Sequence, residues 1–251
     1  MSNLSIVAGS VKGLSPEDQY KLTELIYVLN YHQAKNEVKS RYYEGHVPLS
    51  EVNLGIALPK QLMNLEIGCE WGAKCVDVLA SRSMFDGFVG VDGNDATAMM
   101  NIVDRNNLIF EYMKACRDEL KFGCTFATLS ADDAQHCRIR FHSPQTAAAL
   151  WDGAKGRIDC GLAIIDTERD DTNKTWMPSL VNMYTDTNLI ELQKVNGIWF
   201  ATYHPHRMGR PLMEPMIWNS TSKKPFGRSR IKEPIRRLIQ GYVRTVANAT
   251  I

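Results

Sequence analysis

Two histidines separated by a single residue are the group whose type and spacing could most directly do chemistry. His204 and His206 flank Pro205 in an extended segment, where side chains two residues apart point to the same face. Two imidazole rings on one face could bind a metal ion or transfer a proton. The next carboxylate along the chain is Glu214. We therefore keep, as an alternative hypothesis, a small enzyme that uses the His204/His206 region, which requires both rings to meet an acid in a pocket.

The six cysteines offer thiol and zinc chemistry, but their spacing favours burial. The intervals within the set Cys116, Cys124, His136, Cys137 and Cys160 match no compact zinc finger or ribbon, and no C-x-x-C pair occurs. Because no secretory signal is visible, the cysteines are expected to be reduced and mostly buried. The sequence therefore predicts no catalytic residue, no metal ligand and no cofactor.

Motifs that bind nucleotides or activate a nucleophile are missing from the sequence. It contains no G-x-G-x-x-G, no G-x-x-x-x-G-K-[ST] and no G-x-S-x-G. The acidic run from Asp166 to Asp171 lacks the glycine and the final glutamate of a calcium-binding loop, so it is predicted to be a solvated hairpin tip. No apolar run approaches the roughly 18 residues that span a membrane. These features favour a non-enzymatic protein without a membrane partner, located in the cytosol or in a virion assembled there.

The helices that must position these residues follow from apolar periodicity and from end signals. Ser15 and Pro16 predict the start of a helix that ends at Gly45. A second helix is predicted by apolar residues at helical spacing, namely Leu65, Cys69, Gly72, Val76 and Leu79. Gly72 on this stripe would allow a close approach by another backbone. A long third helix is predicted from about Asp95 to Lys121.

After Gly123 the apolar residues alternate at every second position, which is typical of strands. The predicted strands are residues 124–129, 137–142, 160–165, 180–184, 189–193 and 198–203. Asn196-Gly197 between the last two predicts a tight hairpin. We therefore predict an α+β fold with N-terminal helices, a central antiparallel β meander and a C-terminal helix. Its expected parts are a flexible N-terminus (1–14), a helical part (15–122), an antiparallel β part (123–218), and a basic loop and helix (219–251).

The C-terminal part differs from the rest of the chain in charge. Residues 220–251 carry eight basic residues and one acidic residue, a net charge of +7, whereas the remaining residues have a net charge of −6. This segregation indicates an electrostatic partner, either nucleic acid or an acidic surface of another subunit, although a solvated helix face is the simplest alternative. The predicted subunit or DNA contacts are Arg228, Arg230, Arg236, Arg237 and Arg244. A basic nucleic-acid-binding module built on the last helix is a second alternative hypothesis.

The turn before the last helix is Phe226-Gly227-Arg228-Ser229-Arg230-Ile231. Gly227 permits a bend that a side chain would resist, and Ser229 is predicted to cap the helix that follows. The order of strand, turn, apolar run, F-G-R-S-R-I and helix resembles the portal proteins of tailed bacteriophages, of the type found in siphophages of Gram-positive hosts.

Other motifs in the chain are also similar to this portal family. The first helix ends in Arg41-Tyr42-Tyr43-Glu44-Gly45, similar to the family's R-Y-Y-x-G. The segment from Trp71 to Arg82 is similar to its N-W-x-x-x-V-V-D-A-L-A-x-R helix, and Phe85-Asp86-Gly87-Phe88 is similar to the E-G-F that closes it. Ser143-Pro144 stands where the family has an S-P element. The resemblance thus spans the chain and is weakest between residues 92 and 184.

The resemblance implies a homo-oligomeric ring at one vertex of the capsid. A separate terminase threads double-stranded DNA through such a ring, which also contacts capsid and head-tail adaptor proteins. It further implies that the chain makes and breaks no bonds, that it belongs to the virion after assembly in the bacterial cytoplasm, and that this portion is the outer, wing-like region. Because the last helix shows no capping glycine, we expect a fragment or a truncated relative.

Overall fold

The computed structural model of the chain describes residues 4–52, 60, 66–90, 96–131, 136–170 and 174–250. Within these residues the chain forms five α-helices, which are α1 (Pro16–Glu44), α2 (Trp71–Ala80), α3 (Thr97–Arg105), α4 (Leu108–Phe122) and α5 (Glu233–Thr250). Single turns of 3-10 helix lie at Ala8–Ser10 and Leu49–Glu51.

The strands in the described residues form three antiparallel sheets. They are β1 (Val47–Pro48), β2 (Glu66–Ile67), β3 (Cys124–Ala131), β4 (Cys137–His142), β5 (Ala147–Asp152), β6 (Arg157–Asp170), β7 (Thr175–Tyr184), β8 (Asn188–Val195), β9 (Ile198–Pro205) and β10 (Met213–Ile217). β1 pairs with β2, the second sheet has the order β10-β3-β4, and the third runs β5-β6-β7-β8-β9. The predicted α+β fold, with N-terminal helices, an antiparallel centre and a C-terminal helix, is confirmed.

The predicted hairpin at Asn196-Gly197 is present between β8 and β9. Both residues have positive φ, 50° and 81°, and Val195 pairs with Ile198 across the turn. Positive φ at both central positions gives the type I′ geometry whose twist matches that of the flanking strands.

Strand β5 was not predicted, because its residues do not alternate. Ala147 and Ala149 pack into one apolar cluster, while Ala148 packs into another on the opposite face of the strand. A strand that is buried on both faces has a continuous apolar sequence, which periodicity alone cannot distinguish from other elements. β10 was missed for a similar reason, since it lies within an apolar segment that also contains Pro215.

Helix α1 begins and ends where the sequence predicts. The hydroxyl of Ser15 accepts a hydrogen bond from the backbone N–H of Asp18 (3.2 Å), and Pro16 occupies the first helical position. Gly45 adopts the left-handed conformation (φ 78°) and donates its N–H to the carbonyl of Arg41. The local signals were sufficient because both ends are determined by contacts within one turn.

The prediction of a flexible N-terminus is wrong for residues 4–14. Leu4, Ile6, Val11 and Leu14 are buried in the core between α1 and the five-stranded sheet. The side chain of Asn30 accepts a hydrogen bond from the N–H of Leu4 (3.1 Å) and donates one to its carbonyl (3.0 Å). Lys12 pairs with the edge of β9 through the Trp199 carbonyl and the Ala201 N–H (2.9 Å each). The segment is ordered because it covers apolar surface and a sheet edge.

The packed N-terminus leads to a first prediction. Leu4→Ala is expected to destabilise the protein by about 2 kcal/mol, because it removes a leucine side chain that is only 3% exposed. Val7→Ala should change stability by less than about 0.5 kcal/mol, since Val7 is 70% exposed. Urea denaturation of both variants measures the difference, and equal midpoints would show that Leu4 is not packed.

The long helix predicted from Asp95 to Lys121 is two helices, α3 and α4, and residue 95 lies outside the described residues. The break falls at Asn106-Asn107, where Asn107 has φ 48°. The side-chain amide of Asn106 donates to the carbonyl of Cys137 (3.1 Å) and accepts from the N–H of Ile139 (2.8 Å). Asn106 thus forms hydrogen bonds with backbone groups at the open edge of β4. This contact between segments that are distant in sequence ends the helix.

The second predicted helix begins later than its apolar stripe suggests. Glu66–Ile67 is a strand paired with Val47–Pro48, and α2 starts at Trp71. Leu65, the first residue of the stripe, lies outside the described residues. Gly72 makes the close approach that was predicted, because a Cβ at this position would overlap the carbonyl of Tyr42, with the carbonyl carbon at 2.8 Å.

Helix α1 connects the helical part of the chain with the β part. Leu22, Leu25 and Leu29 pack on the five-stranded sheet. Farther along the same helix, Tyr42 belongs to a second apolar cluster with α2, α4 and α5. The boundary predicted at residue 122 therefore separates helices from strands along the sequence. In the structure, helix α1 packs against both the sheet and the other helices.

Candidate functional site

The turn at residues 226–231 is held by backbone contacts to the junction of α4 and β3. The N–H of Arg228 donates to the carbonyl of Trp218 (3.0 Å), and the N–H of Trp218 donates to the carbonyl of Gly123 (2.9 Å). Gly227 has φ 68°, and a Cβ there would lie 2.5 Å from the Gly123 carbonyl oxygen. The bend predicted at Gly227 is therefore present, and the space allows only glycine.

Ser229 does not cap α5, so that prediction is wrong. Its hydroxyl donates to the carbonyl of Lys121 and accepts the N–H of Ile231 (2.9 Å), while the N–H of Arg230 donates to the carbonyl of Leu120 (2.8 Å). These contacts satisfy carbonyls in the last turn of α4, which lack partners within their own helix. The turn therefore fixes the C-terminal end of α4, and α5 begins at Glu233.

Three of the segments that resemble portal motifs, the end of α1, helix α2 and the turn before α5 with that helix, meet in one apolar cluster. The hydroxyl of Tyr43 donates to Asp77 of α2 (3.0 Å), and the hydroxyl of Tyr42 accepts from the side chain of Gln240 on α5 (2.6 Å). Burial, together with the hydrogen bond to Asp77, raises the pKa of Tyr43 to about 12. The buried members of this cluster include Tyr42, Val76, Ala80, Ile231, Ile239, Val243 and Ala247. The two tyrosines thus link the end of α1 to α2 and to the last helix.

The five arginines predicted as contacts occupy different environments. Arg228 and Arg244 are exposed, and Arg237 forms an ion pair with Glu233. The guanidinium of Arg230 lies 5.5 Å from the centre of the Trp218 ring, and that of Arg236 lies 6.0 Å from the centre of the Tyr42 ring. The structure therefore does not bring the five together into one site. Arg230 and Arg236 pack on the shared cluster, and the other three face outward.

An apolar patch lies on the outer face of α5. Leu238 is 59% exposed and Tyr242, one turn later, is 38% exposed. The ring of Trp71, which is 46% exposed, lies 5.4 Å from the ring of Tyr242. We call Trp71, Leu238 and Tyr242 the α5 patch. Leu238 and Tyr242 are apolar residues of the same helix as Ile239, Val243 and Ala247, but only the last three are buried in the core.

Sequence reasoning missed the partly buried position of Lys39. Lys39 of α1 donates hydrogen bonds from Nζ to the side-chain oxygen of Asn36 and to the carbonyl of Phe122, both at 3.0 Å. Burial is the main cause that lowers the pKa of Lys39 to about 8, with smaller contributions from the positive charges of Arg236, Lys35 and Lys224 that the Cys124 thiol opposes. Lys39 was visible in the sequence as one basic residue of a long helix, but its contact with the end of α4 is tertiary.

The histidine pair shows no catalytic geometry in the described residues. His204 is exposed on β9. Both ring nitrogens of His206 form hydrogen bonds with backbone groups. Nε2 donates to the Thr185 carbonyl (3.1 Å), and Nδ1 accepts from the Met208 N–H (3.4 Å). Among the hydrogen bonds and ion pairs of the described side chains, no carboxylate bonds to either ring. The acid that the enzyme hypothesis requires is therefore not part of this arrangement.

The cysteines are dispersed through the fold and are unpaired. Cys69 and Cys116 lie in the cluster around Tyr42, Cys124 and Cys160 are each buried elsewhere, and Cys137 is exposed. The described part of the chain contains no group of three or more His, Cys, Asp or Glu that could hold a metal ion. The acidic residues Asp166 and Glu168 are exposed on β6, and Asp171 at the predicted tip lies outside the described residues.

None of the described helices combines the length and the apolar character needed to cross a lipid bilayer. The chain matches no protein-family model, and no curated protein matches it either.

Proposed function

We propose that the chain is a structural subunit that assembles with copies of itself, and more specifically that it is the wing-like part of a portal subunit of a tailed bacteriophage or prophage. The supporting observation is the meeting of the similar motifs in one place. The end of α1, helix α2, and the F-G-R-S-R-I turn with its helix are far apart in sequence, and they share one cluster. Sequence motifs that a protein family shares are expected to pack together when they stabilise the same part of the fold.

The α5 patch supports self-assembly through a defined surface. Tryptophan and tyrosine are among the residues that contribute most often to the binding energy of protein interfaces, and here the rings of Trp71 and Tyr242 lie side by side and partly exposed. We propose a second copy as the occupant, because the charges are complementary. The segment 220–251 carries +7 and the rest of the chain −6, so the basic face of one copy attracts the body of the next. A contact between two different surfaces can close into a ring.

The further roles follow from the resemblance and are proposals of the same kind. In this proposal the ring lies at a capsid vertex of the virion after assembly in the bacterial cytoplasm, and double-stranded DNA passes through it. Terminase, capsid and head-tail adaptor proteins are its partners. The subunit itself catalyses no reaction.

Self-assembly can be tested on the full chain by light scattering and sedimentation over a range of protein and salt concentrations. We expect the chain to form larger species that dissociate at high salt. Leu238→Glu should weaken this association at least about tenfold, because it places a charge in the centre of the patch. Electron microscopy of the associated fraction should show closed rings.

A matched control is Met208→Glu, which replaces an apolar residue of similar exposure (62% against 59% for Leu238) on a different part of the surface. This variant should associate like the wild type. A chain that remains monomeric at every concentration, or that associates equally in both variants, contradicts the proposed surface. Open dimers without rings would contradict the portal proposal and leave self-association intact.

A further inference from the structure

Strand β4 lies at the edge of its sheet, and a groove runs along its free side. The sheet order β10-β3-β4 leaves this side of β4 without a strand partner in the described part of the chain. The groove has a volume of about 440 Å³. The residues that line it come from β4 (138–142), from the junction of α3 and α4 (105–107) and from β6 (164–165). We call residues 137–141, with the backbone groups that face the groove, the β4 edge.

The contacts of Asn106 show which backbone groups of β4 face the groove. Its side chain bonds to the carbonyl of Cys137 (3.1 Å) and to the N–H of Ile139 (2.8 Å). Because the backbone groups of an antiparallel strand alternate between its two sides, the carbonyl of Ile139 and both backbone groups of Phe141 face the same way. No strand in the described residues pairs with them. The β4 edge therefore offers a short row of donors and acceptors at the spacing of a further strand.

Strand β6 also contributes residues without a strand partner on that side. β5 pairs with β6 only as far as Ala163, whereas β6 continues to Asp170. The N–H of Ile164 donates to the carbonyl of Thr146 (2.8 Å), and the next residue, Ile165, lines the groove. An extended segment in the groove would therefore lie against both β4 and β6.

The side chains of the β4 edge alternate in character. Arg138 and Arg140 lie on one face of the strand, and Ile139 and Phe141 lie on the other. The two arginines are exposed, whereas Ile139 and Phe141 are half-buried. A neighbouring strand would thus meet positive charge on one face and apolar surface on the other.

The charge of the groove is positive. Arg105, Arg138 and Arg140 line it and are exposed, and none of the three forms an ion pair within the described residues. Glu111 also lines the groove, but its carboxylate is paired with Lys114 (2.7 Å). Three arginines are therefore available to an acidic partner.

We propose that the β4 edge binds an extended acidic segment of another protein, which adds a strand to the sheet. Carboxylates at alternate positions of that segment would meet Arg138 and Arg140, and apolar residues between them would meet Ile139 and Phe141. Hydrogen bonds between arginine and carboxylate are among the strong ones in proteins. The inference does not depend on self-assembly or on the portal proposal.

Two features of the β4 edge favour an acidic peptide over other partners. Nucleic acid matches it less well, because a phosphodiester backbone has no donors for the carbonyls of Ile139 and Phe141. Charged side chains on an edge strand hinder pairing with strands of like charge. Arg138 and Arg140 therefore select against basic strands and in favour of acidic ones.

The test uses the full chain and a fluorescently labelled peptide of alternating glutamate and valine, six residues long, with binding followed by fluorescence anisotropy. We expect saturable binding of one peptide. Arg138→Gln combined with Arg140→Gln should weaken binding at least about tenfold, because this variant loses the charged hydrogen bonds to the peptide. Both arginines are exposed, so the variant should fold normally, which circular dichroism checks.

Arg207→Gln combined with Arg244→Gln is the matched control, since it removes two exposed positive charges from other parts of the surface. It should bind the peptide like the wild type. A second control is the same peptide methylated at two successive central amides, which keeps every charge but removes one donor from each of its edges. It should bind at least about tenfold more weakly, because strand pairing needs those donors.

The inference is overturned if the peptide shows no saturable binding, if the site and control variants bind it equally, or if methylation has no effect. A single-stranded DNA that binds the wild type more tightly than the peptide, and loses this advantage in the variant of Arg138 and Arg140, assigns the groove to nucleic acid and also overturns it. Self-association that disappears in the same variant, without peptide binding by the wild type, assigns the edge to a second copy, with the same consequence. A failure of self-assembly through the α5 patch leaves the inference intact.

Discussion

Gly227→Ala is expected to destabilise the protein by about 4 kcal/mol, adding the cost of a left-handed backbone to that of a severe overlap. The new Cβ would collide with the carbonyl oxygens of Trp218 and Gly123 and would lie 2.8 Å from Cγ2 of Ile217. Two of these neighbours are backbone groups, which cannot move without breaking the contacts that hold the turn on α4 and β3. Urea denaturation followed by circular dichroism measures the loss.

The matched control is Gly209→Ala. Gly209 has nearly the same φ, 64° against 68° for Gly227, but a Cβ there would meet nothing within 4 Å. This variant should cost only about 1 to 2 kcal/mol, the price of the backbone conformation alone. If both variants lose the same stability, the turn is not packed against Trp218 and Gly123. The difference between them therefore measures how tightly the basic turn is fixed.

Acidification should destabilise the protein through His142, by about 2 to 3 kcal/mol between pH 7.5 and pH 4.5. Burial, and secondarily the charge of Arg140, lowers the pKa of His142 to about 4, and its Nε2 is hydrogen-bonded to the Thr128 hydroxyl (2.9 Å). The unfolded chain binds a proton at this histidine near pH 6.5, whereas the folded chain binds it only near pH 4. The contribution of His142 to the free energy of unfolding is therefore full above pH 6.5, and it is lost progressively as the pH falls toward 4.

His142→Gln should remove this part of the pH dependence, whatever the substitution costs at neutral pH. The quantity to compare is the change in unfolding free energy between pH 7.5 and pH 4.5, measured by urea denaturation. His204→Gln is the control, because His204 is exposed and should leave the change as in the wild type. Equal pH dependence in wild type and His142→Gln would show that His142 does not titrate on unfolding in this range.

The candidate site was only partly predictable from the sequence. The excess of basic residues after position 220 identified Arg236 as one of five predicted contacts. The contact of Arg236 with Tyr42 could not be predicted, since nothing local indicates that the end of α1 packs against α5. Arg228, Arg237 and Arg244 had the same sequence signal as Arg236, but they face outward.

The sequence by itself determined the elements whose signals act over a few residues. These include the ends of α1 at Ser15 and Gly45, the hairpin at Asn196-Gly197, the alternating strands and the α+β order. Only the tertiary structure decided the break at Asn106, the burial of Leu4, the two-sided burial of β5 and the contact of Lys39 with the end of α4. The physical reason is the distance along the sequence over which each kind of contact acts. A cap or a turn is satisfied by its immediate neighbours, whereas a covered sheet edge or a buried lysine depends on which distant segments the apolar core brings together.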